Sequence, residues 1–370
     1  MSLYKKKLSL KIMYIAPGNS IHSYNWINYF ASRNDKIVWL SYHGYHFNGK
    51  FKKIINYFSN TLFFLSPFFT LFSFVRLQPD IVHIHSVSRN LYSSFFLLLF
   101  FKKKIILTPW GSDFFYPNFI TKILQNLLFK NCYFISDSYL ILKKLNQFSA
   151  KKNLFKINFG IDCNYFKKTK KKIIKEINNI SKDKKIVFCP RGYDPVYNTQ
   201  LIIDMINKIK FKIKNYIFIF IGTQNIYQKR LLDLTSKYKI KDKVIFFGKQ
   251  NKKQILSLYN DSEIVISASK SDAGISSAVS EAMSCEKIVL IASNRDNKLW
   301  IQNNQNGFLF KNNSLEDLSR NFLKITRLKK SKKISIGKKA RKTQLVKNNN
   351  NVEMQKVELI YKEIYSKSIS

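Results

Sequence analysis

The sequence is short of carboxylates. Against 64 lysines and arginines stand 22 aspartates and glutamates, a formal charge of +42 over 370 residues. The shortage is sharpest early: up to Lys168 the acids are Asp35, Asp80, Asp113, Asp137 and Asp162, and the first glutamate is Glu176. The five histidines (His22, His43, His46, His83, His85) fall in the same half, so candidate general bases there are few. Cysteine is scarce too. Cys132, Cys163, Cys189 and Cys285 are scattered with no CxxC pair, which argues against a zinc site or disulfide framework and suits a reducing compartment. Neither GxGxxG nor GxxxxGK[ST] occurs, so dehydrogenase and P-loop readings lack their fingerprints.

What is present is a large apolar complement, 45% of residues and rich in Phe and Tyr, enough for two α/β domains each with its own core. The lysines run along the whole chain instead of clustering, and no zinc finger, RNP-type strand or recognition-helix motif accompanies them. A solvated basic surface with no specific nucleic-acid partner is the expectation, and an anionic membrane is the better-motivated polyanion. The basic, apolar start MSLYKKKLSLKIMYIAPGNS resembles a signal peptide, but Lys11 interrupts the run and KIMYIAPG ends in a turn. It reads as a first buried strand of a cytoplasmic protein.

Strand-like runs alternate with helix-length segments: Lys11–Pro17, Lys36–Tyr42, Asp80–His85, Lys104–Thr108, Cys132–Ser136 and Leu154–Asn158. The second half repeats the rhythm with Ile186–Pro190, Tyr216–Gly222, Lys243–Gly248, Glu263–Ser269, Lys287–Ser293 and Gly307–Phe310. This βαβ order predicts two Rossmann-like, doubly wound parallel-sheet domains facing a cleft. The charged stretch Lys167–Lys185 marks the boundary, giving domains 1–167 and 168–345, with a helical tail 346–370 that could pack back on the first. Phe51–Leu77 is unusual: Tyr57 to Val75 carries no charge and is long enough for a bilayer. Pro67 and the polar Ser59, Asn60, Ser66, Thr70 and Ser73 favour a partly buried crossover helix. Lys52 and Lys53 beside the Phe-rich turns suit docking on a membrane surface, and Leu91–Phe101 with Lys102–Lys104 has the same character. The basic run LKKSKKISIGKKARK reads as a solvated face.

The richest stretch is Glu263–Ser293, read as strand, turn, helix and strand. On a helical wheel Ala278, Val279, Ala282 and Met283 share one face, and Ser277, Ser280, Glu281 and Ser284 the other. The turn Ser271–Gly274 follows a buried strand, where open α/β sheets bind ligands, and the helix N-terminus suits an anion. A phosphate-and-sugar site results, with Glu281 accepting hydrogen bonds from hydroxyls. Arg191 in CPRGYDPVYN follows the first strand of the second half and suits a diphosphate. In the first half, the loop Gly18, Asn19, Ser20 and His22 could cradle an anion. His83 and His85 share one strand face, packed or ligand-facing. Asp113 in TPWGSD either meets a ligand or caps the next helix.

Taken in order, APGNSIHSYNWINYF, PDIVHIHS, LTPWGSD, FISDS, INFGID, PRGYDPVYN, SDAGISSAVSEAM and NQNGFLF resemble a retaining glycosyltransferase of family 4, with the GT-B fold. The resemblance implies a UDP- or GDP-linked sugar donor held mainly by the C-terminal domain. Glu281 would hold the ribose hydroxyls, Arg191 the diphosphate, and the N–H groups of Gly274, Ile275 and Ser276 the sugar and phosphates. The family often carries a second Glu where Ala273 stands, so Asp272 is the candidate substitute. A Lys commonly follows the Arg; here Val196, Tyr197 and Asn198 lie in that region, and Asn198 is kept as a donor-side candidate. Trp110 stands where many members have His, leaving Asp113 beside Glu281 as the catalytic candidates. No cofactor or metal is required on this reading, and no DxD motif is present to hold one. The implied acceptor is a glycan or lipid-linked glycan of surface polysaccharide or lipopolysaccharide type, met at the inner face of the membrane. Beside this stand a non-enzymatic polyanion-binding protein and a GT-B sugar-nucleotide epimerase or hydrolase.

Overall fold

The computed structural model describes residues 9–33, 36–42, 54–58 (main chain only), 63–169, 180, 181, 183–272 and 274–369; the side chain of Ser112 is not described. The chain divides into two compact units, Met1–Phe159 with Asn351–Ser370, and Gly160–Asn350.

The first unit is built on a parallel sheet of seven strands: β1 Lys11–Ile15, β2 Lys36–Ser41, β3 Ile54–Phe58, β4 Ile81–His85, β5 Ile105–Thr108, β6 Tyr133–Ser136 and β7 Leu154–Lys156. Their spatial order is β3-β2-β1-β4-β5-β6-β7, so the direction of winding reverses between β1 and β4. The second unit has six strands: β8 Lys185–Cys189, β9 Tyr216–Ile221, β10 Val244–Phe247, β11 Ser262–Ser267, β12 Ile288–Ser293 and β13 Phe308–Lys311. Their order is β10-β9-β8-β11-β12-β13, with the reversal between β8 and β11. All pairings are parallel. Runs such as YIFIFI in β9, buried at every position, are what a sheet covered on both faces demands.

Twelve strands coincide with the runs legible in the sequence. The additional strand β3 lies inside the Phe-rich stretch and was not anticipated. The remainder of that stretch yields a helix, Ser66–Leu77, opened by Pro67 in its first turn, where the missing N–H costs nothing. No helix among the described residues is long and apolar enough to cross a membrane. Ser59 and Asn60, with Lys52 and Lys53, lie outside the described residues, as do the first eight residues, Asp35, His43, His46 and Glu176.

The units divide at Phe159/Gly160 and Asn350/Asn351, not at Lys167 and Leu345. The physical reason is that 160–169 already packs with the second unit: Phe166 is in its core, and Arg341 donates to the carbonyls of Cys163 and Phe166. The basic run after Leu328 is also more than a solvated face. It forms the helix Lys330–Lys347, which buries Ile336, Gly337, Ala340 and Gln344. Gly337 lies so close to Glu286 that an added Cβ would stand 2.3 Å from its carbonyl oxygen. The last helix, Asn350–Ile369, contributes Met354, Val357, Ile360, Tyr361 and Ile364 to the core of the first unit. Its Tyr361 hydroxyl meets His83 Nδ1, Tyr14 and the indole N–H of Trp26. Buried Glu353 accepts from the N–H of Asn158 at 2.7 Å.

Candidate active site

In the second unit the sequence candidates gather at the carboxyl ends of β8 and β11, the two strands at the reversal of winding. Crevices of open α/β sheets lie at such points. Arg191 leaves β8 and Asp272 leaves β11, and they pair at 3.0 Å between Nη2 and Oδ1. The Arg191 guanidinium also lies 4.6 Å over the Tyr197 ring, while its Nε is buried with no hydrogen-bond partner. Burial raises the Asp272 carboxyl above its ordinary value, opposed by the charges of Arg191 and Arg295. Arg295, in the loop after β12, donates from Nε to the Ser271 hydroxyl at 2.9 Å. Asp272 therefore stands as the counter-ion of guanidinium groups. Ala273 lies outside the described residues.

The helix Ser277–Ser284 follows directly, capped by Ser276, whose hydroxyl accepts from the N–H of Val279 at 3.4 Å. Gly274 is buried, and the Ile275 side chain packs on the core, so any ligand contact from these two belongs to the main chain. The wheel expectation needs correcting: Ser280 and Ser284 are fully buried, not open to solvent. Their hydroxyls are used by the covering chain, Ser280 accepting from Asn348 Nδ2 and Ser284 donating to the Phe166 carbonyl. A helix covered on two sides needs such paired polar groups on its second face.

Glu281 remains partly open. Tyr259 donates toward its Oε2 at 3.1 Å and toward the Ala278 carbonyl at 2.8 Å, one phenolic proton facing two acceptors. Burial raises the Glu281 carboxyl to about 7, opposed by the Tyr259 hydrogen bond and the charge of Lys252. A protonated Glu281 resolves the shared proton by donating to Tyr259 itself. Arg191 also acts electrostatically on Tyr259, so arginine, tyrosine and glutamate form one group. Asn198 does not join them. It adopts a left-handed conformation (φ 53°) at the head of the helix Thr199–Ile209 and donates to Asn313 Oδ1.

Tyr259, Lys252 and Arg295 were missed by sequence reasoning. Lys252 and Tyr259 are seven residues apart on one helix, Lys252–Asp261, hence on one face, and that spacing was the available signal. Nothing local marks Arg295.

In the first unit the loops after β1, β4 and β5 come together. The N–H of Gly18 donates to the Ser41 hydroxyl at 2.8 Å, and Ser20 caps the helix Ile21–Ala31 by accepting from His22 and Ser23. These N–H groups are thus spent within the protein, and Asn19 is exposed beside them. Asp113 binds loops: Oδ2 accepts from the N–H of Val87 at 2.7 Å, and Oδ1 from Trp110 and Gly111 at 2.9 and 2.8 Å. Burial raises its carboxyl while these bonds and Ser86 oppose the rise. Its acceptor capacity is consumed in joining two strand-end loops, a positioning role.

His83 and His85 lie 4.4 Å apart between ring centroids, both fully buried. His83 is held by Tyr361 and by the Thr108 hydroxyl, whereas both ring nitrogens of His85 lack a partner. Burial lowers His83 well below its usual range and His85 to about 3, so both are neutral. His22 and Trp26 pack around Phe159, and Trp110 lies beside His22 and His85. The four cysteines are buried and free.

These geometries can be set beside known proteins. Residues 170–343 match the family described as Glycosyl transferases group 1, and residues 11–141 match Glycosyl transferase 4-like. No curated protein matches in sequence. A glycosyltransferase from Rickettsia africae superimposes with a TM-score of 0.81 at 18% identity, covering 96% of this chain and 98% of that one. The sucrose-phosphate synthase of Thermosynechococcus elongatus gives 0.81 at 12% identity, covering 96% and 99%. HepE of Anabaena, crystallised with UDP and glucose, gives 0.78 at 15% identity, covering 96% and 100%. At these identities the structures speak for the fold, which is GT-B, and the family matches speak for the class. The second unit matches the group 1 glycosyltransferases and the first the glycosyltransferase 4-like family, and the chain is a glycosyltransferase.

Proposed function

We propose that the chain transfers a sugar, with retention of anomeric configuration, from a nucleoside-diphosphate sugar held by the C-terminal unit. The observation that carries this is the orphaned Nε of Arg191. It is a buried donor at the end of β8, beside the turn that leads into the Glu281 helix. A partly buried guanidinium with an unused N–H calls for an anionic acceptor, and a diphosphate supplies one. Ribose hydroxyls would donate to Glu281 in its ionised form. As the bond from the anomeric carbon to the diphosphate oxygen breaks, Arg191 and the helix N-terminus stabilise the charge growing on the leaving group. The acceptor hydroxyl adds to the same carbon and its proton passes to the departing phosphate, so this reading needs no strong protein base and no metal. HepE, with its UDP and glucose, supports a UDP-linked donor; GDP is the competing choice.

The acceptor is assigned to the strand-end loops of the first unit, where His22, His85, Trp110 and Asp113 meet. We infer a glycan or lipid-linked glycan of surface-polysaccharide type, met at the anionic inner face of a membrane. Isothermal calorimetry with UDP, GDP and their glucose conjugates tests the donor half. Glu281→Ala and Arg191→Ala should each weaken binding by about tenfold or more, as loss of a charged hydrogen-bond partner does. Unchanged affinity in both variants sinks the assignment.

A further inference from the structure

The helix Ser66–Leu77 buries a row of hydroxyl residues and exposes a stripe of large apolar ones. Its small hydroxyl residues face the protein, with Ser66 and Thr70 at 0% exposure and Ser73 at 4%. Three of its large apolar residues face solvent, Phe68 at 60%, Phe72 at 61% and Val75 at 59%, while Phe74 is buried. Those three fall within one narrow stripe of the helix. Tyr42 holds part of the buried row: its hydroxyl meets Thr70 Oγ1 and donates to the Ser66 carbonyl at 3.3 Å, while the Ser66 hydroxyl has no partner among the described residues. Burial raises the Tyr42 phenol to about 12, which keeps it protonated as that donor.

The stripe continues onto neighbouring elements. The Phe68 ring packs tilted against Phe96, 4.9 Å between centroids, in the helix Phe95–Phe100, which exposes Leu99 and Phe100. That helix in turn packs on Phe119–Leu128, which exposes Phe119, Ile120, Ile123 and Leu127 along one side. Large apolar side chains exposed on three mutually packed helices mark a candidate interaction surface.

Charge indicates what covers it. Between Phe63 and Lys130 the sequence carries seven cations, Arg76, Arg89, Lys102, Lys103, Lys104, Lys122 and Lys130, and two acids, Asp80 and Asp113. Both acids are engaged by backbone N–H groups, Asp80 by Lys11 and Asp113 as described above. The segment that carries the apolar surface thus has an excess of cations and both of its carboxylates engaged, a charge balance that suits an anionic lipid surface.

We propose that the helices Ser66–Leu77, Phe95–Phe100 and Phe119–Leu128 form one monotopic docking face for an anionic bilayer. Phe68, Phe72, Phe100, Phe119 and Ile123 enter the acyl boundary, and Lys102–Lys104 meet the headgroups. The inference rests on the membrane-side reading above and extends it to a helix, Phe119–Leu128, that nothing in the linear sequence flagged.

The test is co-sedimentation of the full chain with vesicles of phosphatidylcholine alone or enriched in phosphatidylglycerol. Wild type should pellet with the anionic vesicles, and less at high salt. The pairs Phe68→Ser with Phe72→Ser, and Phe119→Ser with Ile123→Ser, should each lower partitioning about tenfold or more. Phe211→Ser, an exposed phenylalanine of the other unit, should not. Equal recovery with neutral and anionic vesicles, or pair variants that pellet like wild type, overturns the proposal. So does a concentration-dependent dimer in light scattering that the same pairs dissolve, since the occupant would then be a second copy. Nucleotide calorimetry on the same preparations separates loss of docking from failure of the donor site.

Discussion

Glu281 shows how one residue's environment sets its chemistry. Burial lifts its carboxyl from 4.5 to about 7, so the folded protein holds a proton there that the unfolded chain has lost. Between those two values the native state binds more protons, and stability therefore falls as pH rises through the window. The shift corresponds to about 3.4 kcal/mol at most. Urea denaturation at pH 5 and pH 8 should show that loss in wild type and little of it in Glu281→Gln; an equal loss in both would place the titration on another group. Nucleotide affinity should move the other way, rising as Glu281 ionises to accept ribose hydroxyls. The identity of Glu281 as the chief candidate was legible from its helix and preceding turn. Its partner Tyr259, 22 residues upstream, was not, because it lies on the helix before β11 and meets Glu281 only once both helices pack on the same sheet. Asp113 was left between ligand contact and a structural role. The three backbone N–H groups on its carboxylate come from two loops, and no local pattern announces that convergence.

At the scale of elements, the helices were harder to read than the strands. Buried parallel strands are continuous apolar runs, visible without knowing their neighbours. Helical faces depend on what covers them. Lys330–Lys347 looked like a solvated basic run because its buried residues are Ile336, Gly337, Ala340 and Gln344, mostly too small or polar to signal a core. Gly337 is small because Glu286 is close. Replacing glycine by alanine inside a helix ordinarily gains up to about 1 kcal/mol. Here the new Cβ would meet backbone at 2.3 Å, so Gly337→Ala should cost about 1 to 3 kcal/mol instead. Equilibrium denaturation of the full chain gives the sign directly. Ser66–Leu77 presents the opposite problem: its serines and threonine, which argued against a membrane span, are the residues turned inward.

For the whole molecule, the last helix matters most. Asn350–Ile369 returns to the first unit and fills its core with five apolar side chains, among them Tyr361 bound to His83. Each buried side chain of this size contributes about 1.5 to 3 kcal/mol, and a domain is stable by about 5 to 15 kcal/mol in total. Removing residues 351–370 should therefore unfold the first unit while the second keeps its core. Hydrogen exchange should show protection lost from β1, β4 and β5, and calorimetry should still register nucleotide binding. Retained protection in those strands would show the tail to be dispensable.

The positions of twelve strands and the doubling of the α/β rhythm were determined by the sequence alone, because each is a local matter, and Arg191 and Glu281 stood out there as candidates for the same reason. A parallel strand must be apolar wherever it lies, and a ligand-facing turn must follow such a strand. The tertiary structure decided where the units divide, that Asp272 serves as the counter-ion of Arg191, that Asp113 ties loops, and that phenylalanines face outward on three adjacent helices. Each of these depends on groups far apart in the chain, and burial and charge pairing are properties of the folded neighbourhood, not of the residue.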